Sequence, residues 1–172
     1  MRQMKGFGPE PCHGDKIICL RNYWDLGNYT NGDPLTNGSI GTLINPKKTI
    51  QAVPMFAYSP GAIDILEGGF ISELDEDYGV LKMDPKVMLG QESALDWRDK
   101  YKLGKLKNRI GDVIPKEFTY GYAITGHKSQ GSEWNKVLVI EEAFPFSKTE
   151  HARWLYTTAT RAAQKLVIIT QD

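Results

Sequence analysis

Two stretches of the chain are apolar at every position, Val137-Leu-Val-Ile140 and Leu166-Val-Ile-Ile169, the second ending in Thr170. Unbroken runs of this kind mark strands covered on both faces in a parallel sheet rather than strands with one wet face. Between them, Ser147-Lys-Thr-Glu150 has the form of a capping box and predicts a helix start, with the helix running to about Gln164. Strand, helix, strand is a crossover unit, expected to be right-handed, and it makes the last third α/β. At 100° per residue, Leu155, Ala159 and Ala162 form one stripe suited to the sheet. Arg161 falls on the other side with Trp154, Thr157 and Thr158, where it reads either as an ordinary exposed helix-end arginine favoured by the dipole or as a group free to reach a partner surface or a phosphate. Upstream, Tyr120 to Thr125 is a strand candidate running into the small, polar segment Gly126-His-Lys-Ser-Gln-Gly-Ser132.

The rest is patterned differently. Gly14-Asp15 signals a turn and Lys16 to Leu20 a short strand. Asn-Gly pairs at 31-32 and 37-38 lead into Ser39 to Ile44, a long hairpin excursion with close backbone approach around Gly38 and Gly41. From 46 to 117, short apolar stretches (51–58 and 79–83) are cut by Pro, Gly and acidic turns, with no sustained 3.6-residue period. A small β-barrel or β-rich insert fits, with one short helix within Gln91 to Lys105. The expected division is therefore 1–45, 46–117 and 118–172.

Composition adds limits. At 172 residues, 41% hydrophobic and 24% charged, the chain can build one ordinary domain or two small ones. No apolar run is long enough to cross a bilayer, and the first residues have no apolar h-region, which leaves the cytoplasm as the expected location. Cys12 and Cys19, with His13 beside the first, lack metal-ligand spacing and read as reduced thiols, so no metal site is expected. Net charge is zero, but charges are segregated: six acidic residues between Asp64 and Asp77, and six basic residues between Arg98 and Arg109 with Tyr101 among them. The basic run reads either as a solvated surface or as a track for a phosphate backbone.

Tyr122-Ala-Ile-Thr-Gly-His-Lys-Ser-Gln-Gly-Ser-Glu-Trp134 resembles motif V of superfamily 1 DNA helicases, particularly the RecD-like 1B branch. Leu155-Tyr-Thr-Thr-Ala-Thr-Arg-Ala162 resembles motif VI of the same enzymes, in the right order. Gly14-Asp-Lys-Ile-Ile18 and Asn37-Gly-Ser-Ile-Gly41 look like the segment preceding the inserted 2B domain, with Ser39 where that pattern has Asp. The resemblance implies a partial RecA-like second motor domain, with an SH3-like 2B barrel at 46–117. It also implies that Thr125, His127 and Ser129, with Asn37 and Gly38, contact single-stranded DNA. Gln130, Gly131 and Glu133 would face the nucleotide, Glu133 accepting from the ribose, and Arg161 would be the arginine finger on the γ-phosphate.

A motor also needs a GxxxxGK[ST] loop to cradle phosphates. Here the one Gly-Lys pair, Gly104-Lys105, is followed by Leu106, with Asp99 where the first glycine belongs. Leu74-Asp-Glu-Asp77 looks like an acidic turn rather than a magnesium carboxylate ending a strand. The expectation is a C-terminal helicase portion, moving 5′ to 3′ if the 1B resemblance holds. Its ATP and Mg2+ site is completed by an N-terminal RecA-like motor domain, and neither binds this chain tightly alone. The alternatives are a stand-alone, non-catalytic nucleic-acid- or protein-binding module derived from a helicase and an unrelated α/β enzyme.

Overall fold

The structure, a computed structural model, describes residues 2–29, 31–54, 61–141 and 147–170. The fold is mixed α/β and divides into two compact units, Met1–Tyr122 and Ala123–Asp172. No helix among the described residues is long and apolar enough to cross a membrane.

In the first unit, strands β1 (Lys16–Cys19), β4 (Ile40–Ala52), β5 (Ala62–Ser72), β6 (Asp77–Met83) and β7 (Phe118–Tyr120) form one sheet in the order β6-β5-β4-β1-β7. Every neighbouring pair is antiparallel. Strands β2 (Tyr23–Gly27) and β3 (Pro34–Leu35) pair as a separate ribbon. The excursion expected after Lys16 is thus present, and it delivers the chain into a 13-residue strand.

The boundary expected at 45/46 falls inside β4. Pairing passes from Ile44↔Gly69 to Lys47↔Glu67, so Asn45 and Pro46 together face the single residue Gly68. This is a β-bulge, and it frees Pro46, which has no N–H, from any ladder bond. A one-residue offset exchanges the faces of a strand. The hairpin accordingly feeds two cores. On one face, Leu43, Leu66 and Phe70 join Ile17, Cys19, Leu81, Met83 and Phe118. On the other, Val53, Ile63 and Ile65 pack with Leu95, Leu103 and Val113.

That second core is closed by a helix. After the short α1 (Pro85–Met88), capped by Asp84, the chain starts α2 (Trp97–Ile110) where the Asp96 side chain accepts from the Asp99 amide, 2.7 Å. The helix begins six residues later than the start of the expected Gln91 to Lys105 window and stops at Gly111, φ +76°. Residues 55–58 of the apolar stretch 51–58 lie outside the described residues; 79–83 lies within β6.

The SH3-like barrel expected at 46–117 is not present as a closed barrel among the described residues. Its strands share a sheet with β1 and β7, and the two sheet edges meet through one isolated bridge, Met83 to Lys116. Pro115 cannot donate to a ladder there, and Asp84 turns away into α1.

The second unit contains β8 (Trp134–Ile140), α3 (Lys148–Ala159) and β9 (Ala162–Ile169), with β8 and β9 parallel. Both arms of the Ser147–Glu150 capping box form. The helix ends at Ala159, earlier than the expected Gln164. Thr157 and Thr158 hydroxyls donate to the carbonyls of Arg153 and Trp154 (2.9 and 2.8 Å), and Arg161 Nε takes the Thr157 carbonyl at 3.0 Å. Ala162 consequently lies in β9, not on the helical stripe with Leu155 and Ala159. Cover on both faces is also not found: Val139 is buried, but Leu138 and Ile140 are 59% and 60% exposed, and Leu166 to Ile169 are exposed.

Gly41 marks the tightest approach in the sheet. A Cβ there would overlap the Ile71 carbonyl oxygen and lie 2.6 Å from the Phe70 ring. Gly41→Ala is expected to cost about 2 kcal/mol or more, as overpacking that backbone cannot relieve. Urea denaturation of both proteins checks this, and an unchanged midpoint would refute the packing.

Candidate functional site

The expected strand Tyr120–Thr125 is shorter: β7 ends at Tyr120, and residues 126–131 are a compact turn. Thr125 begins it, its Oγ1 accepting from the Lys128 amide at 3.4 Å and its carbonyl from the Ser129 amide at 3.2 Å. Ser129 is buried, and its hydroxyl donates to the Gly126 carbonyl at 2.6 Å. Its hydroxyl proton is therefore committed to shaping the turn. His127, Gln130, Gly131 and Glu133 stand exposed along the turn and its exit.

The turn lies against α3 because residue 126 is glycine. A Cβ there would run into the Trp154 indole nitrogen and lie 2.7 Å from Thr158 Oγ1. The contact leaves a pocket of about 290 Å3 lined by Gly126, His127, Gln130, Glu150, Arg153, Trp154 and Thr157. The pocket joins a residue expected on DNA, His127, with one expected on nucleotide, Gln130. It combines an indole wall, a guanidinium and an amide, groups that can receive a ring and an anion together. Glu150, Arg153 and Trp154 were not among the site residues read off the sequence. Their i, i+3, i+4 spacing along α3 was the available signal, once the turn was known to cover that face.

Arg161 lies just beyond α3 and does not line this pocket. Its guanidinium donates to the carbonyls of Thr157 and Ser132 (3.0 and 3.3 Å) and to Thr160 Oγ1 (3.1 Å), while its own carbonyl accepts from the Trp134 amide at 2.9 Å. One residue thus ties the helix end to the exit of the turn. Near the other end of this unit, His151 Nε2 and Glu141 Oε1 are 2.5 Å apart, joining α3 to the end of β8.

Asn37 and Gly38 belong to the first unit. Both amides are used internally, Asn37 N donating to Asn22 Oδ1 (2.8 Å) and Gly38 N to the Cys19 carbonyl (2.9 Å). The exposed Asn37 side chain is the group left to meet a ligand. Both cysteines are free thiols, and burial pushes Cys19 up to about 11.

The strongest electrostatic feature of the first unit is Asp15, read from sequence as part of a turn and of the Gly14–Ile18 segment, with no role for its side chain. It is fully buried and accepts from Arg2 Nε and Nη2 (both 2.7 Å), the Cys12 amide (2.9 Å) and Tyr122 Oη (2.9 Å). Burial alone would raise its pKa. The bonds from Arg2, Cys12 and Tyr122 overturn that and hold it below the usual carboxylate range.

Residues 120–169 match the sequence profile of the UvrD-like helicase C-terminal domain. An uncharacterized protein of Acanthamoeba polyphaga mimivirus is 46% identical over 52 residues, 29% of this chain and 10% of the viral protein. The crystal structure of Pif1 helicase from Candida albicans aligns with 99% of this chain and 36% of its own, at 15% identity and a TM-score of 0.42. The last third of the chain is thus similar to a helicase C-terminal part. The alignments span well under half the length of either relative.

Because Asp15 is depressed in the folded state, its contribution to stability is full above the unfolded pKa of about 3.9 and is lost as pH falls through the folded value. Asp15→Asn removes one partner of a buried pair and is expected to cost about 3 kcal/mol at pH 7. The deficit relative to the parent should shrink between pH 5 and 2. Thermal melts across that range check it, and a deficit independent of pH would contradict the assignment.

Proposed function

We propose that this chain is the C-terminal part of an ATP-dependent DNA helicase of the RecD-like superfamily 1B branch. In this reading it supplies single-stranded DNA contacts and an arginine finger to a nucleotide site completed by an N-terminal RecA-like motor domain. The observation that carries the proposal is the pairing of the 126–131 turn with α3 around one pocket, inside the stretch that matches the helicase profile.

The residues divide their work by position. Thr125 and exposed His127 meet the phosphates of the strand, while buried Ser129 keeps the turn in shape. Gln130, Gly131 and Glu133, on the second half of the turn and its exit, face the nucleotide. Arg161 holds three neutral acceptors at 3.0 to 3.3 Å, and a γ-phosphate is a stronger partner than any of them. In reaching it, Arg161 releases Ser132 and Thr157, so the finger and the turn are linked through this one side chain. The phosphate cradle and the Mg2+ ligands belong to the N-terminal motor domain, since the sequence carries no GxxxxGK[ST] loop. The exposed apolar faces of β8 and β9 support the same reading. Leu138, Ile140 and Leu166 to Ile169 are what the remaining strands and helices of a motor domain would cover.

Two outcomes follow. This chain alone, with single-stranded DNA and magnesium, should hydrolyse no ATP above blank. Turnover abolished by Arg161→Ala would mean the site is complete here, and the proposal fails. In the intact motor, Arg161→Ala should lower kcat about 10³-fold or more with little change in KM.

A further inference from the structure

We propose that the outer face of α2 is a second binding surface for single-stranded nucleic acid, separate from the 126–131 turn. The inference does not rest on the helicase reading. It starts from how the six basic residues of 98–109 are disposed. Lys100 bonds Glu117 at 2.8 Å, and Lys107 pairs with Asp25 and with Asp112. Those two cations serve the fold. Arg98, Lys102, Lys105 and Arg109 are exposed, and the helical wheel puts them within one arc with Trp97, Tyr101 and Asn108. The opposite arc holds Leu103, a member of the second core, and buried Asp99.

The outer arc contains no carboxylate, in a chain whose net charge is zero. It also exposes two large rings one helical turn apart, Trp97 at 73% and Tyr101 at 61%. A merely solvated helix face needs charge but has no use for an indole and a phenol in water. Each ring carries a cation beside it: Arg98 lies 5.3 Å from the Trp97 ring and Lys105 4.4 Å from the Tyr101 ring. Ring plus adjacent cation is the pairing that a nucleotide requires, a surface to stack its base and a charge for its phosphate. The rings select a single strand, because bases in a duplex are already stacked on each other. An acidic peptide would meet the charges but leave the rings without a matching partner.

The test uses the full chain and a fluorescein-labelled twelve-residue oligo-dT, followed by anisotropy across a salt series. Trp97→Ala with Tyr101→Ala should weaken binding about ten-fold or more with the salt slope unchanged, and Trp97→Phe with Tyr101→Phe should restore most of it. Arg98→Gln with Lys105→Gln should weaken binding and reduce the slope of log K against log salt by about 1.4. The same losses should appear in a Thr125→Ala, His127→Ala background, which separates this surface from the turn. Circular dichroism establishes that each variant is folded. The proposal is overturned if folded variants of either kind bind like the parent, if the parent does not bind, or if duplex or polyglutamate displaces the strand as well as unlabelled oligo-dT does.

Discussion

A carboxylate removed from water must be neutralised where it stands, and in the first unit that requirement falls on Asp15. Arg2 answers it, and the same guanidinium also donates to the carbonyls of Gly8, Pro9 and Glu10 and lies 4.3 Å from the centre of the Tyr120 ring. The first fifteen residues hold little regular structure beyond one 3-10 turn, Gln3–Lys5. Their order comes from this ion pair rather than from a helix or a ladder. Tyr122 completes the arrangement, donating to Asp15 and accepting from the Lys16 amide at 3.2 Å. The beginning of β1, the N-terminal arm and the last residue of the unit therefore converge on one charge.

The second unit is governed by an opposite condition, apolar surface without cover. Parallel strands ordinarily lie beneath helices on both faces, and β8 and β9 have α3 as their one described helix. What holds the functional elements together locally is a set of short-range devices: the capping box at Ser147, the close approach at Gly126 and the Arg161 bonds to Thr157 and Ser132. These fix the turn and the helix to each other without needing a large core. On the proposed reading, a larger motor domain would cover the exposed strand faces and supply the unit's remaining stability.

Much of the second unit was legible in sequence because its signals are local. Unbroken apolar runs gave β8 and β9, and a four-residue pattern gave the start of α3. The end of α3 was not legible. The apolar spacing continues through Ala162, while the stop comes from threonine hydroxyls and a guanidinium competing for helix carbonyls. In the first unit a boundary was expected at 45/46, yet β4 runs through it because a bulge removes the need for a Pro46 N–H. The separate barrel was expected from the punctuated pattern of 46–117 and from the family resemblance, and the continuity of β4 through the bulge joins that region to β1 and β7 in one sheet. The turn carrying Thr125, His127 and Gln130 was recognisable as a motif. Trp154 and Arg153 became part of a site only when α3 was seen against that turn. The partners of Asp15, up to 107 residues away in sequence, left no local trace.

The central claim is that these residues are the C-terminal part of a larger motor, and the size of the native polypeptide tests it most directly. An antibody raised against this chain, used to immunoblot the cells that make it, should reveal a band well above 19.3 kDa. A band at 19.3 kDa, with nothing larger, would contradict the account and favour a self-contained binding module.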